Sequence, residues 1–141
     1  MVFLLDVNVL LALFDRKHVH HEPAHAWFGN AGRKGWATCP ITENGIIRIS
    51  SGVGYPGGPG NVPQTADWLR RFCNESGHQF WPDSTSILEW LSPETVISSK
   101  QITDLYLLGL AAANGGKLAT FDRTVPTKAI KGGAKALELL G

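Results

Sequence analysis

The chain has 141 residues, 43% of them hydrophobic and 18% charged, with a formal net charge of +1 at pH 7. That length suits one domain over 1–141 with a sizeable core, and the near-neutral charge carries no global signal for nucleic acid. No apolar run reaches the roughly 18 residues of a membrane span, and an apolar N-terminus interrupted by Asp6 and Asn8 and lacking a basic lead-in is not expected to be a signal peptide.

In chain order, Val2-Phe3-Leu4-Leu5 is a continuous apolar run ending in Asp6, as suits a strand buried on both faces. Val7 to Phe14 reads as a helix. After a polar connection, Pro23 is expected at the first position of a second helix through Trp27 and Phe28, ended by Gly29-Asn30 and Gly32. Gly35–Thr38 is a short second strand. Pro40 and Thr42 open a helix carrying Ile46, Ile47 and Ile49. The stretch from Gly52 to Pro63 is rich in Gly and Pro and reads as an irregular loop; it lacks the Gly-Lys-Ser/Thr of a phosphate-binding loop. Thr65 to Phe72 is a helix, His78–Trp81 a third strand and Ser86 to Leu91 a short helix. Thr103 is expected to cap a longer helix whose apolar stripe includes Leu105, Leu108 and Ala112, with Asn114-Gly115-Gly116 as its stop. Lys117–Thr120 is a fourth strand, and residues 134–140 offer a fifth. Strands alternating with helices over this length predict an α/β fold with a parallel sheet covered on both faces.

In such a sheet, strand ends and the helix starts that follow them share one edge. Asp6 and Asp122 each follow a predicted strand, and Glu43 and Asp104 each fall in the first turn of a predicted helix. Four acids from distant stretches therefore meet. Helix N-termini favour anions, but four close carboxylates repel one another unless a divalent cation lies among them. All-oxygen ligation suits Mg²⁺ or Mn²⁺, and an ion so held can orient water against a phosphodiester. From Lys117 onward five bases (Lys117, Arg123, Lys128, Lys131, Lys135) face two acids (Asp122, Glu138), either a phosphate-contacting face or a merely solvated one.

Leu-Leu-Asp6-Val-Asn8-Val-Leu, Thr42-Glu43-Asn44-Gly45, Thr103-Asp104-Leu-Tyr-Leu and Leu-Ala-Thr120-Phe121-Asp122-Arg123, in that order, resemble the motifs of PIN-domain ribonucleases. The likeness is closest to the VapC-type toxins of bacterial toxin–antitoxin pairs. It covers essentially the whole chain, including the Tyr55-Pro56-Gly57 loop and Phe80-Trp81-Pro82-Asp83. The resemblance implies a PIN-like parallel sheet of about five strands, a cytoplasmic Mg²⁺- or Mn²⁺-dependent endoribonuclease, a homodimer, and inhibition by a small cognate antitoxin. By the same resemblance Asp6, Glu43, Asp104 and Asp122 match the acidic quartet. Asp6, Asp104 and Asp122 would then hold the metal, Glu43 would position or deprotonate the attacking water or bind a metal through water, and Asn8 and Thr120 would support them. Arg123 is a candidate phosphate contact. The alternatives are a PIN-like nuclease on another nucleic acid and a catalytically silent module that only binds RNA or protein.

Other patterns carry less. His21-Glu22-Pro23-Ala24-His25 matches the zinc-protease pattern His-Glu-x-x-His, but a helix that starts at Pro23 leaves His21 outside and removes the one-face geometry the pattern needs. Asp6-Val-Asn8 resembles the first motif of aspartate-nucleophile phosphatases, yet Asn8 cannot transfer the proton their second acid does. The five tryptophans are expected in packing rather than base stacking. Cys39 and Cys73 show neither metal-ligand spacing nor a disulfide framework and read as buried free thiols.

Overall fold

The computed structural model describes residues 1–141. Five short strands, β1 (Phe3–Leu5), β2 (Trp36–Thr38), β3 (His78–Phe80), β4 (Lys117–Thr120) and β5 (Leu137–Leu139), form one sheet in the order β3-β2-β1-β4-β5. Every neighbouring pair is parallel. β1 is therefore central, and the chain winds outward from it in both directions. The crevice between the C-terminal ends of β1 and β4 is the switch point where such sheets bind ligands.

Five α-helices connect these strands: α1 (Val7–Phe14), α2 (His21–Asn30), α3 (Pro40–Ser50), α4 (Val62–Phe72) and α5 (Ile102–Ala113). The two-residue alternation of the strands divides the core. Leu4, Ala37 and Leu118 point to one face, against Leu105, Leu108 and their neighbours on α5. Leu5, Trp36 and Ala119 point to the other, against α1, α2 and α4. This is the fold expected, with helices on both faces. α1 is apolar nearly all round, with five of its eight residues buried, because other helices surround it.

Several boundaries differ from the sequence-based expectation. α2 begins at His21, so Pro23 is its third residue; the N–H that proline lacks would have had no intrahelical partner there. α4 starts at Val62 rather than Thr65, because Asn61 caps it: its Oδ1 accepts from the Gln64 N–H at 3.0 Å. β3 stops at Phe80, although the Trp81 N–H still donates to the Thr38 carbonyl at 2.8 Å. The segment predicted as a short helix at Ser86–Leu91 is one 3₁₀ turn, Ile87–Trp90, too short to offset the entropy of α-helix nucleation. Thr103 does not cap α5. A 3₁₀ turn at Ser99–Gln101 leads into that helix, tied by Ser98 N–H donating to Gln101 Oε1 at 3.0 Å. Trp36 and Trp81 are buried, and the ring edges of Phe3–Trp27 and Phe14–Trp68 pack at centroid distances of 5.2 and 5.1 Å.

Candidate active site

Asp6 ends β1 and is the N-cap of α1. Its backbone N–H donates to the Ala119 carbonyl of β4 at 3.0 Å, which fixes it at the switch point. Its Oδ1 accepts from the Val7 N–H at 2.7 Å and its Oδ2 from the Thr120 hydroxyl at 2.8 Å. Thr120, fully buried at the end of β4, is the hub of this corner. While donating to Asp6 it accepts from Asn8 Nδ2 at 3.0 Å and from the Asp122 N–H at 3.0 Å. Asn8 Oδ1 in turn accepts from the Phe121 N–H at 3.1 Å. Asn8 and Thr120, both singled out from sequence, are thus joined by hydrogen bonds to each other, Thr120 to Asp6 and to the Asp122 backbone, and Asn8 to the Phe121 backbone.

Asp122 lies just beyond β4, and Asp104 in the first turn of α5. The charges of Asp6 and Asp122 both act on Asp104, so the three aspartates share one site. Burial, with those two charges and a hydrogen bond to Asp122 added, pushes the Asp104 carboxyl up to about 6. Burial also raises Asp6; the Asp122 charge adds to it, and the Thr120 and Val7 hydrogen bonds oppose it. Asp122 goes the other way. Thr124 donates to its Oδ1 from both hydroxyl, at 2.7 Å, and backbone N–H, at 2.8 Å, which holds this carboxyl below its ordinary value. Asp104 and Asp122 are thus held on opposite sides of their ordinary value within one site. Thr124 was not singled out from sequence; a threonine two residues after an aspartate is the turn signal that marks it.

Glu43 stands in the first turn of α3, beyond the end of β2 and one strand over from Asp6. Its Oε2 accepts from the Thr38 hydroxyl at 2.7 Å, and the same hydroxyl lies 2.8 Å from His78 Nε2. Cys73, at the end of α4, completes this group. One ligand atom each from Glu43, Cys73 and His78 lie within 4.8 Å of one another. One expectation about cysteine is corrected here: Cys73 is only half-buried, and it stands in a group of possible ligand atoms drawn from distant stretches of the chain.

No base neutralises the acids. The ion pairs of the molecule, Arg71–Asp67 at 3.2 Å and Lys117–Glu138 at 3.6 Å, lie elsewhere. Arg123 is exposed immediately after Asp122, and Lys128, Lys131 and Lys135 are exposed beyond it. The His21 and His25 rings do meet on one helical face, centroids 4.4 Å apart, contrary to the expectation that Pro23 would separate them. His21 Nδ1 sits 2.7 Å from the Ala12 carbonyl and His25 Nε2 2.9 Å from that of Leu13, so each ring ties α2 to α1.

The family model for the PIN domain matches residues 3–131. Ribonuclease VapC44 of Mycobacterium tuberculosis is 45% identical over 134 residues, 94% of each chain. Ribonuclease VapC39 of the same organism is 39% identical over 134 residues, 94% of this chain and 96% of that one. Among solved structures, VapBC2 from Rickettsia felis, bound to a DNA fragment from its promoter, superposes with a TM-score of 0.60 over 100% of both chains, at 14% identity. That likeness concerns the fold. With a family match over most of its length and relatives this similar along nearly all of theirs, the chain belongs to the PIN-domain family and groups with its VapC proteins.

Proposed function

We propose that residues 1–141 form one PIN-like nuclease unit, a Mg²⁺- or Mn²⁺-dependent endoribonuclease that is the toxin of a type II toxin–antitoxin pair. The observation that carries the reading is the meeting of Asp6, Asp104 and Asp122 at the switch point with no basic partner, where Asp104 is pushed up to about 6 by burial and by the other two. Three buried or half-buried carboxylates without a counter-charge fit a hard divalent cation by donor chemistry alone. When bound, such an ion supplies positive charge for a phosphodiester oxygen and acidifies a water.

The side chains of this chain do the rest. Asp6 is preset by the Val7 N–H and the Thr120 hydroxyl, and each of its oxygens keeps a lone pair for a ligand. Thr124 occupies Oδ1 of Asp122 and leaves Oδ2 free. Glu43 has its Oε2 fixed by Thr38, so its Oε1 accepts the proton of the attacking water. Arg123, next to Asp122 and exposed, binds the phosphate of the substrate strand.

The ribonuclease names of the relatives support RNA as substrate. A VapC with its VapB partner in the fold neighbour supports an antitoxin as partner. No helix is long and apolar enough to cross a membrane. The test is incubation of the purified protein with a mixed RNA pool, with Mg²⁺ or chelator. Cleavage is expected only with the metal and only with Asp6 intact. Equal cleavage by Asp6→Asn, or in chelator, would overturn the reading.

A further inference from the structure

Outside the aspartate site, the molecule groups one soft, one borderline and one hard ligand. Cys73 from the end of α4, His78 from the start of β3 and Glu43 from the first turn of α3 bring one ligand atom each within 4.8 Å of one another. All three side chains are half-buried, so an ion reaches them from solvent. The wall behind them is built. Thr38, fully buried, places its hydroxyl 2.7 Å from Glu43 Oε2 and 2.8 Å from His78 Nε2. His78 is further fixed against the Trp36 ring, centroids 4.6 Å apart.

We propose that Glu43, Cys73 and His78 form a second cation site, for a thiophilic divalent ion of the Zn²⁺ type, which shares Glu43 with the nuclease machinery. Thiolate, imidazole and carboxylate with a fourth position left to water is a zinc donor set, whereas the three aspartates offer only oxygen and suit Mg²⁺ or Mn²⁺. The two sites therefore sort ions by ligand softness. Burial and the Glu43 charge keep the Cys73 thiol protonated in the metal-free protein. Binding thus forms the metal–sulfur bond as the S–H bond breaks, and one proton leaves to solvent for each ion bound. An ion held there occupies Glu43 and withdraws it from the attacking water, so it inhibits cleavage. That consequence, unlike the binding itself, rests on the role proposed above for Glu43.

Co²⁺, added in one equivalent to the full chain in excess Mg²⁺, reads the site directly. We expect a thiolate-to-cobalt charge-transfer band that Zn²⁺ abolishes. The band should be absent in Cys73→Ser, and His78→Gln should weaken Zn²⁺ binding by at least about tenfold. Zn²⁺ should also slow alkylation of Cys73 in the unmodified protein, a readout that needs no variant. Absence of the band, the same band in Cys73→Ser, or alkylation unaffected by Zn²⁺ would overturn the site. The activity arm separates the two readings: each protein is compared with its own zinc-free cleavage rate, and inhibition should be lost in Cys73→Ser. A normal cobalt band with uninhibited cleavage would leave the cation site standing and contradict the role of Glu43.

Discussion

Thr120 Oγ1 meets three partners, Asp6 Oδ2, Asn8 Nδ2 and the Asp122 N–H, so one hydroxyl orients two of the three site aspartates. Replacing it by an isosteric apolar group leaves buried polar atoms unpaired, each at about 1–3 kcal/mol. Thr120→Val is expected to lower unfolding free energy by at least about 2 kcal/mol in a denaturant titration and to reduce cleavage, while Thr120→Ser retains most of both. Equal stability of Thr120→Val and wild type would show that the hydroxyl orients nothing. Asp104 gives a pH prediction. Its folded value of about 6 lies above its ordinary 3.8, so the folded protein binds more protons than the unfolded chain between those limits. The Asp104 contribution to the stability of the metal-free protein should then fall as pH rises through that window, and Asp6, also raised, acts in the same sense, whereas His18 and His78, both lowered by burial, act in the opposite sense. Asp122 is lowered, so its contribution is present above its ordinary value and lost only in stronger acid, outside this window. Thermal unfolding in chelator from pH 4 to 7 checks the sign, and Asp104→Asn should flatten the slope. A stability difference between wild type and Asp104→Asn that does not grow in the variant's favour as pH rises would contradict the assignment.

At the scale of elements, α3, which carries Glu43, packs closely on α1. Gly45 permits it: a Cβ there would stand 2.6 Å from Val7 Cγ2. The branched Val7 side chain has little freedom to yield. Gly45→Ala should therefore cost about 1–3 kcal/mol and lower cleavage by pushing α3 against Val7, whose N–H holds Asp6; unchanged stability and rate would show that the helices have slack. Much of this architecture is legible in the chain. β1 is an apolar run that meets Asp6, β4 stops one residue before Asp122, and α3 and α5 show helical spacing behind first-turn acids, so the four acids could be assigned to one edge. What local pattern cannot reveal is pairing across the sheet. β5 has three residues and is specified by its register on β4, Leu118 with Leu137 through Thr120 with Leu139. The starts of α2 and α4 depend on a tolerated proline and an asparagine cap. The grouping of Cys73 with His78 and Glu43 depends on α4 and β3 returning beside β2, which no spacing in the sequence encodes.

For the whole molecule, the sheet order places the crevice at β1 and β4 and the exposed bases of the C-terminal quarter beyond it. If those bases contact phosphate, RNA binding by a cleavage-dead Asp6→Asn protein weakens steeply with salt, and neutralising Arg123 and Lys128 together flattens that slope by up to about two phosphate contacts. An unchanged slope would return both to ordinary solvated surface. The central claim concerns the ion among the aspartates. Crystals grown with Mn²⁺, and measured at wavelengths where manganese scatters anomalously, locate that ion without reference to activity. The account predicts an anomalous peak among Asp6, Asp104 and Asp122, within about 2.0–2.3 Å of their carboxylate oxygens, and none there in Asp6→Asn crystals. A fully active protein with no peak at these three residues would contradict it.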